Sequence, residues 1–176
     1  EKLLQWIGTE IDPGNAVGRM SMSARLTSKD EQLKFDDVLL ELDGNKANGV
    51  LDLSRTKDVP ALSGTLAFEE LDVASFLKAF STSPATRNRP GGLGYIDQFQ
   101  LDLRLSAVTA RVGSLALANL AAAVRVKDGS ADFDLGDATA LGGRVQANLK
   151  ISTSADGVVG DMRLKASDID LAQLGD

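Results

Sequence analysis

From Val17 onward, apolar and polar residues alternate with a period of two, and turn residues interrupt the alternation at intervals. Met20, Met22, Ala24 and Leu26 fall on one side, and Arg19, Ser21, Ser23 and Arg25 on the other. That is the pattern of a β-strand with one apolar and one wet face. A second strand follows over 33–42, with Phe35, Leu40 and Leu42 apolar. Its phase breaks near Asp37 and Val38, which predicts a bulge. Asp43-Gly44-Asn45 then predicts a tight hairpin, because the primed turns need positive φ. Ala47, Gly49, Leu51 and Leu53 continue the alternation, and Leu62, Leu66 and Phe68 make a fourth strand. Asp72 is placed to cap a helix whose Val73, Phe76, Leu77 and Phe80 share one face.

The second half repeats this style. Phe99, Leu101, Leu103 and Leu105 alternate with Gln98, Gln100, Asp102, Arg104 and Ser106. Leu115 and Leu117 come next, then Leu120, Ala122, Val124 and Val126 up to an Asp128-Gly129 turn. Ala131, Phe133 and Leu135 follow. Gly142-Gly143 precedes Val145, Ala147, Leu149 and Ile151, and Asp156-Gly157 turns the chain into Met162, Leu164 and Ala166. Ile169, Leu171 and Leu174 read as a short terminal helix. The first residues, EKLLQWIG, carry helical spacing before a turn at Asp12-Pro13-Gly14-Asn15.

An offset of 98 relates the two halves. It takes Phe35 to Phe133, Asp36 to Asp134, Gly44 to Gly142, Leu51 to Leu149, Leu66 to Leu164 and Asp72 to Asp170, with nine identities over the 46 pairs from Leu33/Ala131 to Lys78/Asp176. The expected fold is mainly β: antiparallel curved sheet or sheets of about nine or ten strands, built from two related repeats with short amphipathic helices. Residues 1–8 read as the tail of a preceding repeat and 15–80 as the first β-repeat. Residues 81–94, STSPATRNRPGGLG, read as a linker loop, in which Arg87 and Arg89 are solvated charges. Residues 95–176 form the second repeat, continuous with the first. The opening on Glu1 in mid-pattern reads as an excised piece of a longer protein.

Composition narrows the chemistry. A formal charge of −6 and the lack of any basic run argue against a nucleic-acid partner. Cysteine and histidine are both absent, which removes thiolate and imidazole ligands, cysteine nucleophiles and serine–histidine pairs. No apolar run approaches the roughly 20 residues that span a bilayer. Carboxylates are the remaining candidates, densest at Asp128, Asp132, Asp134 and Asp137. Their order is not that of an EF-hand loop, and Asp132 and Asp134 lie two apart on a strand, facing away from Ala131, Phe133 and Leu135. A solvated strand face accounts for them. Gly91-Gly92-Leu93-Gly94 lacks the lysine and hydroxyl residue of a phosphate loop. The expectation is a non-enzymatic protein without cofactor or metal.

What stands out is the apolar face itself. Aromatic residues make up only 5%, so the face is aliphatic. It reads either as an ordinary core or as the lining of a groove for acyl chains, since ligand grooves are mostly apolar. The same alternation serves both. Candidate lining residues are Met20, Met22, Leu51, Leu53, Leu66, Leu101, Leu103, Leu149, Ile151 and Leu164.

The runs LLELDGNKANGVLDLS and PALSGTLAFEELDVASFL, with ALGGRVQANLKIS and VVGDMRLKASDIDLAQL, resemble the AsmA family of bacterial envelope proteins. The elements concerned are Gly142, Gly143, Leu149, Ile169, Asp170 and Leu171 in the second copy, and Gly44, Leu51, Leu71, Asp72 and Val73 in the first. The first copy departs from the pattern, with Asp43-Gly44 in place of a glycine pair. The resemblance implies a periplasmic segment of a protein anchored in the inner membrane, associated with outer-membrane biogenesis and similar to bridge-like lipid-transfer proteins. Its implied partners are phospholipids and outer-membrane assembly proteins, and it brings no catalytic residues. The alternative is a structural or partner-binding β-repeat scaffold, such as an adhesin or assembly-factor module, acting through its sheet edges without lipid.

Overall fold

The computed structural model describes residues 20–56, 59–76, 99–154, 157–170 and 172. The expected helix tail at 1–8, the turn at 12–15 and the linker at 81–94 lie outside these residues. So do Leu77, Phe80, Leu171 and Leu174 of the two expected helical pieces.

Among the described residues nine strands form one sheet: β1 (Met20–Lys29), β2 (Gln32–Leu42), β3 (Asn45–Thr56), β4 (Val59–Asp72), β5 (Gln100–Val112), β6 (Leu115–Lys127), β7 (Ser130–Ala140), β8 (Gly143–Ser154) and β9 (Gly157–Ser167). Their order across the sheet is their order along the chain. Every neighbouring pair is antiparallel except β4 and β5, which run parallel from Ala61↔Gln100 to Asp72↔Arg111. The expectation of a wholly antiparallel sheet is corrected at this one junction. The two-residue links elsewhere can only reverse a strand, whereas the connection 73–99 has the dozen or more residues that a parallel crossover needs. Regular helix among the described residues is limited to one turn, α1 (residues 73–76). Leu115–Val126, which the sequence divides into two runs, is one strand.

The turns follow their residue chemistry. Asp43 (φ 49°) and Gly44 (φ 84°) both take the left-handed conformation that a primed hairpin demands. Leu141 (φ 48°) and Gly142 (φ 76°) do the same between β7 and β8, so a leucine occupies a position that suits glycine or asparagine better.

The core lies on one face of the sheet. It comprises Leu33, Phe35, Val38, Leu51, Leu66, Phe68, Leu103, Leu105, Leu117 and Leu120 with their neighbours. The predicted phase break in β2 is present: the register with β3 shifts between Phe35 and Val38, with Asp37 at φ 53°. This extra residue returns Val38 to the core, where it is wholly buried. A matching shift between Leu135 and Ala138 returns Ala138 to the core in β7. β4, β5 and β6 each contain a further step of three between buried residues, from Phe68 to Leu71, Ala107 to Ala110 and Leu117 to Leu120. Simple alternation therefore fails on five strands, and on each of them an apolar residue regains the same face.

Gly49 shows how tightly β3 and β4 approach. A Cβ built on it would overlap the Thr65 carbonyl oxygen, which belongs to the backbone and cannot swing aside.

Candidate functional site: one apolar face

Pairing across a sheet places partners on the same face, so the register decides where each proposed lining residue lies. Leu33, Leu53, Leu62 and Leu101 are consecutive partners across β2 to β5. Phe35, Leu51, Gly64 and Leu103 form the next such row, and Val38, Gly49, Leu66 and Leu105 another. At one margin Met20 pairs with Leu42 and Met22 with Leu40. Toward the other, Phe133 pairs with Leu149, Ala131 with Ile151 and Ala147 with Leu164. All ten candidates, Met20, Met22, Leu51, Leu53, Leu66, Leu101, Leu103, Leu149, Ile151 and Leu164, therefore share one face.

Their exposure divides them. Leu51, Leu66 and Leu103 are buried, and Leu53, Leu101, Leu149 and Ile151 are half-buried. Met20, Met22 and Leu164 are exposed, as are Leu26 and Met162 on the same face of the same two marginal strands. The face is thus closed over its middle and open along β1 and β9. Among the described residues, α1 is the one element outside the sheet that packs on it. Its Phe76 sits edge-on to Phe68, with ring centroids 5.5 Å apart. That geometry suits the aromatic quadrupole.

α1 is held in place by local chemistry. The Ser75 N–H donates to Asp72 Oδ1 at 3.1 Å, the capping bond expected from sequence. That bond is the main reason the Asp72 carboxyl is held below its ordinary pKa, and the Arg111 guanidinium adds a smaller push in the same direction. Asn45, which the sequence offers only as a turn residue, proves to be the anchor. It is buried, its Nδ2 donates to the Leu42 carbonyl at 3.1 Å, and its Oδ1 accepts from the Asp72 N–H at 2.7 Å. One side chain thus joins the β2–β3 hairpin to the end of β4. The one signal in sequence is its phase: Asn45 is a polar residue at a position in step with Ala47, Gly49, Leu51 and Leu53.

Beside it lies an open depression of about 430 Å³, with Asp43, Glu70, Asp72, Thr109 and Arg111 on its rim. This rim is polar and charged and lies at the end of the sheet. Leu71 and Ala110 of the core also line it, with Ala116.

The opposite face of the sheet carries the ionic chemistry. Arg25 and Asp37 pair at 2.9 Å, Asp137 and Arg144 at 3.2 Å, and Asp102 and Arg125 at 3.8 Å, all at exposed positions. Such pairs add little stability each and keep the face wet. A hydrogen bond to Asp36, reinforced by its charge, raises the Lys34 ammonium above its ordinary pKa. Among the candidate carboxylates, Asp132 accepts from Asn148 Nδ2 at 2.8 Å, and Asp128 occupies a turn at φ 50°. Asp132 and Asp134 pair with Lys150 and Asn148, away from the core row of Ala131 and Phe133. Among the described residues, no three acidic side chains converge as a metal cage would require.

No protein-family model, characterised protein or solved structure matches the chain.

Proposed function

We propose that the chain is a non-enzymatic periplasmic segment of an AsmA-like envelope protein anchored in the inner membrane. In this reading it takes part in outer-membrane biogenesis and phospholipid transport, and its apolar face contributes a groove for acyl chains. The observation that carries the reading is the single aliphatic face running across nine strands and left uncovered at both margins. A chain that hid all its apolar surface would cover those margins, because water-exposed aliphatic area costs about 25 cal/mol per Å². An aliphatic lining with few rings also suits flexible acyl tails better than flat or polar ligands.

We further read the sheet as two related units. The bounds of β2 and β7 differ by 98 at both ends, as do those of β3 and β8, and β4 and β9 begin 98 apart. The Asp43-Gly44 and Leu141-Gly142 turns keep the same spacing and the same positive φ pair. The Asp72 N–H bonds to the Asn45 side chain, and the Asp170 N–H bonds to the Leu141 carbonyl at 2.9 Å, so in each unit the amide at this position bonds to the hairpin between the second and third strands. Such units are suited to stacking into a longer array.

Native mass spectrometry of gently purified protein tests the lipid reading. Co-purified phospholipid that is lost on replacing Met20, Met22 and Leu164 with serine supports it. Absence of lipid, with solvent excluded from the whole face, overturns it. The alternative of a lipid-free β-scaffold is favoured by the buried middle of the face, and stable binding to an outer-membrane assembly protein without lipid would establish it.

A further inference from the structure

We propose that the outer edge of β9 is a docking site for one further extended protein strand. The strand runs parallel to β9 and carries apolar residues at alternate positions, with a basic and then two acidic residues between them. The proposal rests on the two-unit reading of the sheet and is independent of the lipid reading.

The position of β9 supplies the first argument. With the offset of 98, β9 is the counterpart of β4, and the edge of β4 away from β3 holds β5 in parallel. Among the described residues, the same edge of β9 faces no strand. Exposure supplies the second. Leu66 and Leu164 are counterparts, and each has a partner on one side, Gly49 and Ala147 respectively. Leu66 also lies beside Leu105 of β5 and is only 4% exposed, whereas Leu164 is 64% exposed. Met162, the counterpart of Gly64, is also 64% exposed. The apolar surface bare on β9 is what β5 covers on β4. An open edge of this kind offers a row of backbone donors and acceptors ready for a strand.

Charge then specifies the occupant. In the β4–β5 register, Gly64, Leu66 and Phe68 lie beside Leu103, Leu105 and Ala107, and Ser63, Thr65 and Ala67 beside Asp102, Arg104 and Ser106. The counterparts of the second group on β9 are Asp161, Arg163 and Lys165. All three are exposed, and Asp161 and Arg163 lie 3.6 Å apart. A strand with the sequence of β5 would therefore set Asp102 against Asp161 and Arg104 against Arg163. Like charges side by side oppose pairing. The edge of β9 thus favours a strand with a basic residue opposite Asp161 and acidic residues opposite Arg163 and Lys165, and disfavours a copy of β5.

Two synthetic peptides test this against the intact chain. One has the sequence of residues 99–112; the other carries Asp102→Lys, Arg104→Glu and Ser106→Glu in that sequence. The second should bind about tenfold more tightly, because two like-charge contacts become attractive and one neutral contact, Ser106 opposite Lys165, becomes an ion pair. The difference should shrink in 1 M salt. It should also protect the β9 amides from hydrogen exchange. The chain has no cysteine, so disulfide trapping reports direction cleanly. Met162→Cys should capture a peptide with Leu103→Cys, and Ala166→Cys one with Ala107→Cys. Equal affinity of the two peptides, or no protection of β9, overturns the proposal and leaves the two-unit reading standing. Crossed trapping, 162 with 107 and 166 with 103, means an antiparallel strand and overturns both.

Discussion

Replacing Asn45 with alanine removes the only buried polar side chain among the described residues. Two hydrogen bonds go with it, from Asn45 Nδ2 to the Leu42 carbonyl and from the Asp72 N–H to Asn45 Oδ1. Two ordinary bonds would contribute about 1 kcal/mol each, but truncation also leaves the Asp72 amide without its partner, at about 1–3 kcal/mol where water is excluded. The adjoining depression can admit a water to it, which holds the total to about 2–3 kcal/mol. With a urea m-value of about 2 kcal/mol/M, the unfolding midpoint should fall by about 1–1.5 M with no change in slope. Asn48→Ala, at an exposed position on β3, is the matched control and should stay within about 0.5 kcal/mol. Asn45→Asp keeps the acceptor for Asp72 but sets a carboxylate against the Leu42 carbonyl, so its loss should ease in acid. A midpoint shift for Asn45→Ala no larger than that of Asn48→Ala would refute the claim that this side chain fastens β4 to the hairpin.

Three further outcomes follow from the same geometry. Gly49→Ala drives a methyl into the Thr65 carbonyl and should cost more than about 3 kcal/mol or prevent folding, as read by circular dichroism melts. The Asp72 carboxyl has a lowered pKa in the folded chain, so its stabilising effect is complete above the ordinary value of 3.8 and is lost as the pH falls through the lowered one. Asp72→Asn, which can still cap α1, should flatten that part of the stability–pH curve in acid titrations followed by fluorescence. Leu66→Ala should cost about 2–5 kcal/mol while Leu164→Ala at the counterpart position costs less than about 1, a contrast that chemical denaturation would check directly.

Much of the sheet was legible in the sequence because it is built from local signals. Alternation of period two marks one face, Asp-Gly pairs mark turns, and the broken phase at Asp37 and Val38 marks a bulge. The ten proposed lining residues fall on one face for the same reason. The parallel β4–β5 junction was hidden, because nothing in either strand records the direction of a neighbour lying beyond a long connection. The steps from Phe68 to Leu71 and from Ala107 to Ala110 were hidden too, since they occur side by side in both strands and make sense only as a pair. Asn45 reads in sequence as part of a turn, because its partner Asp72 lies 27 residues away. Gly142-Gly143 reads in sequence as a break, but of the two only Gly142 lies in the turn. Gly143 opens β8, where a Cβ would crowd the Ser167 carbonyl.

Strand order equal to chain order has a kinetic consequence. Every strand finds its neighbours through a hairpin, so ordering can start in any of them and zip outward with little loop entropy lost at each step. The β4–β5 junction is the exception, because its closure spans residues 73–99 and must wait until both flanking meanders present an edge. Unfolding retraces this order: the marginal strands fray first, and the two meanders part at the parallel seam. Native-state hydrogen exchange should accordingly show graded protection, lowest in β1 and β9, with two cooperative blocks meeting between Asp72 and Gln100.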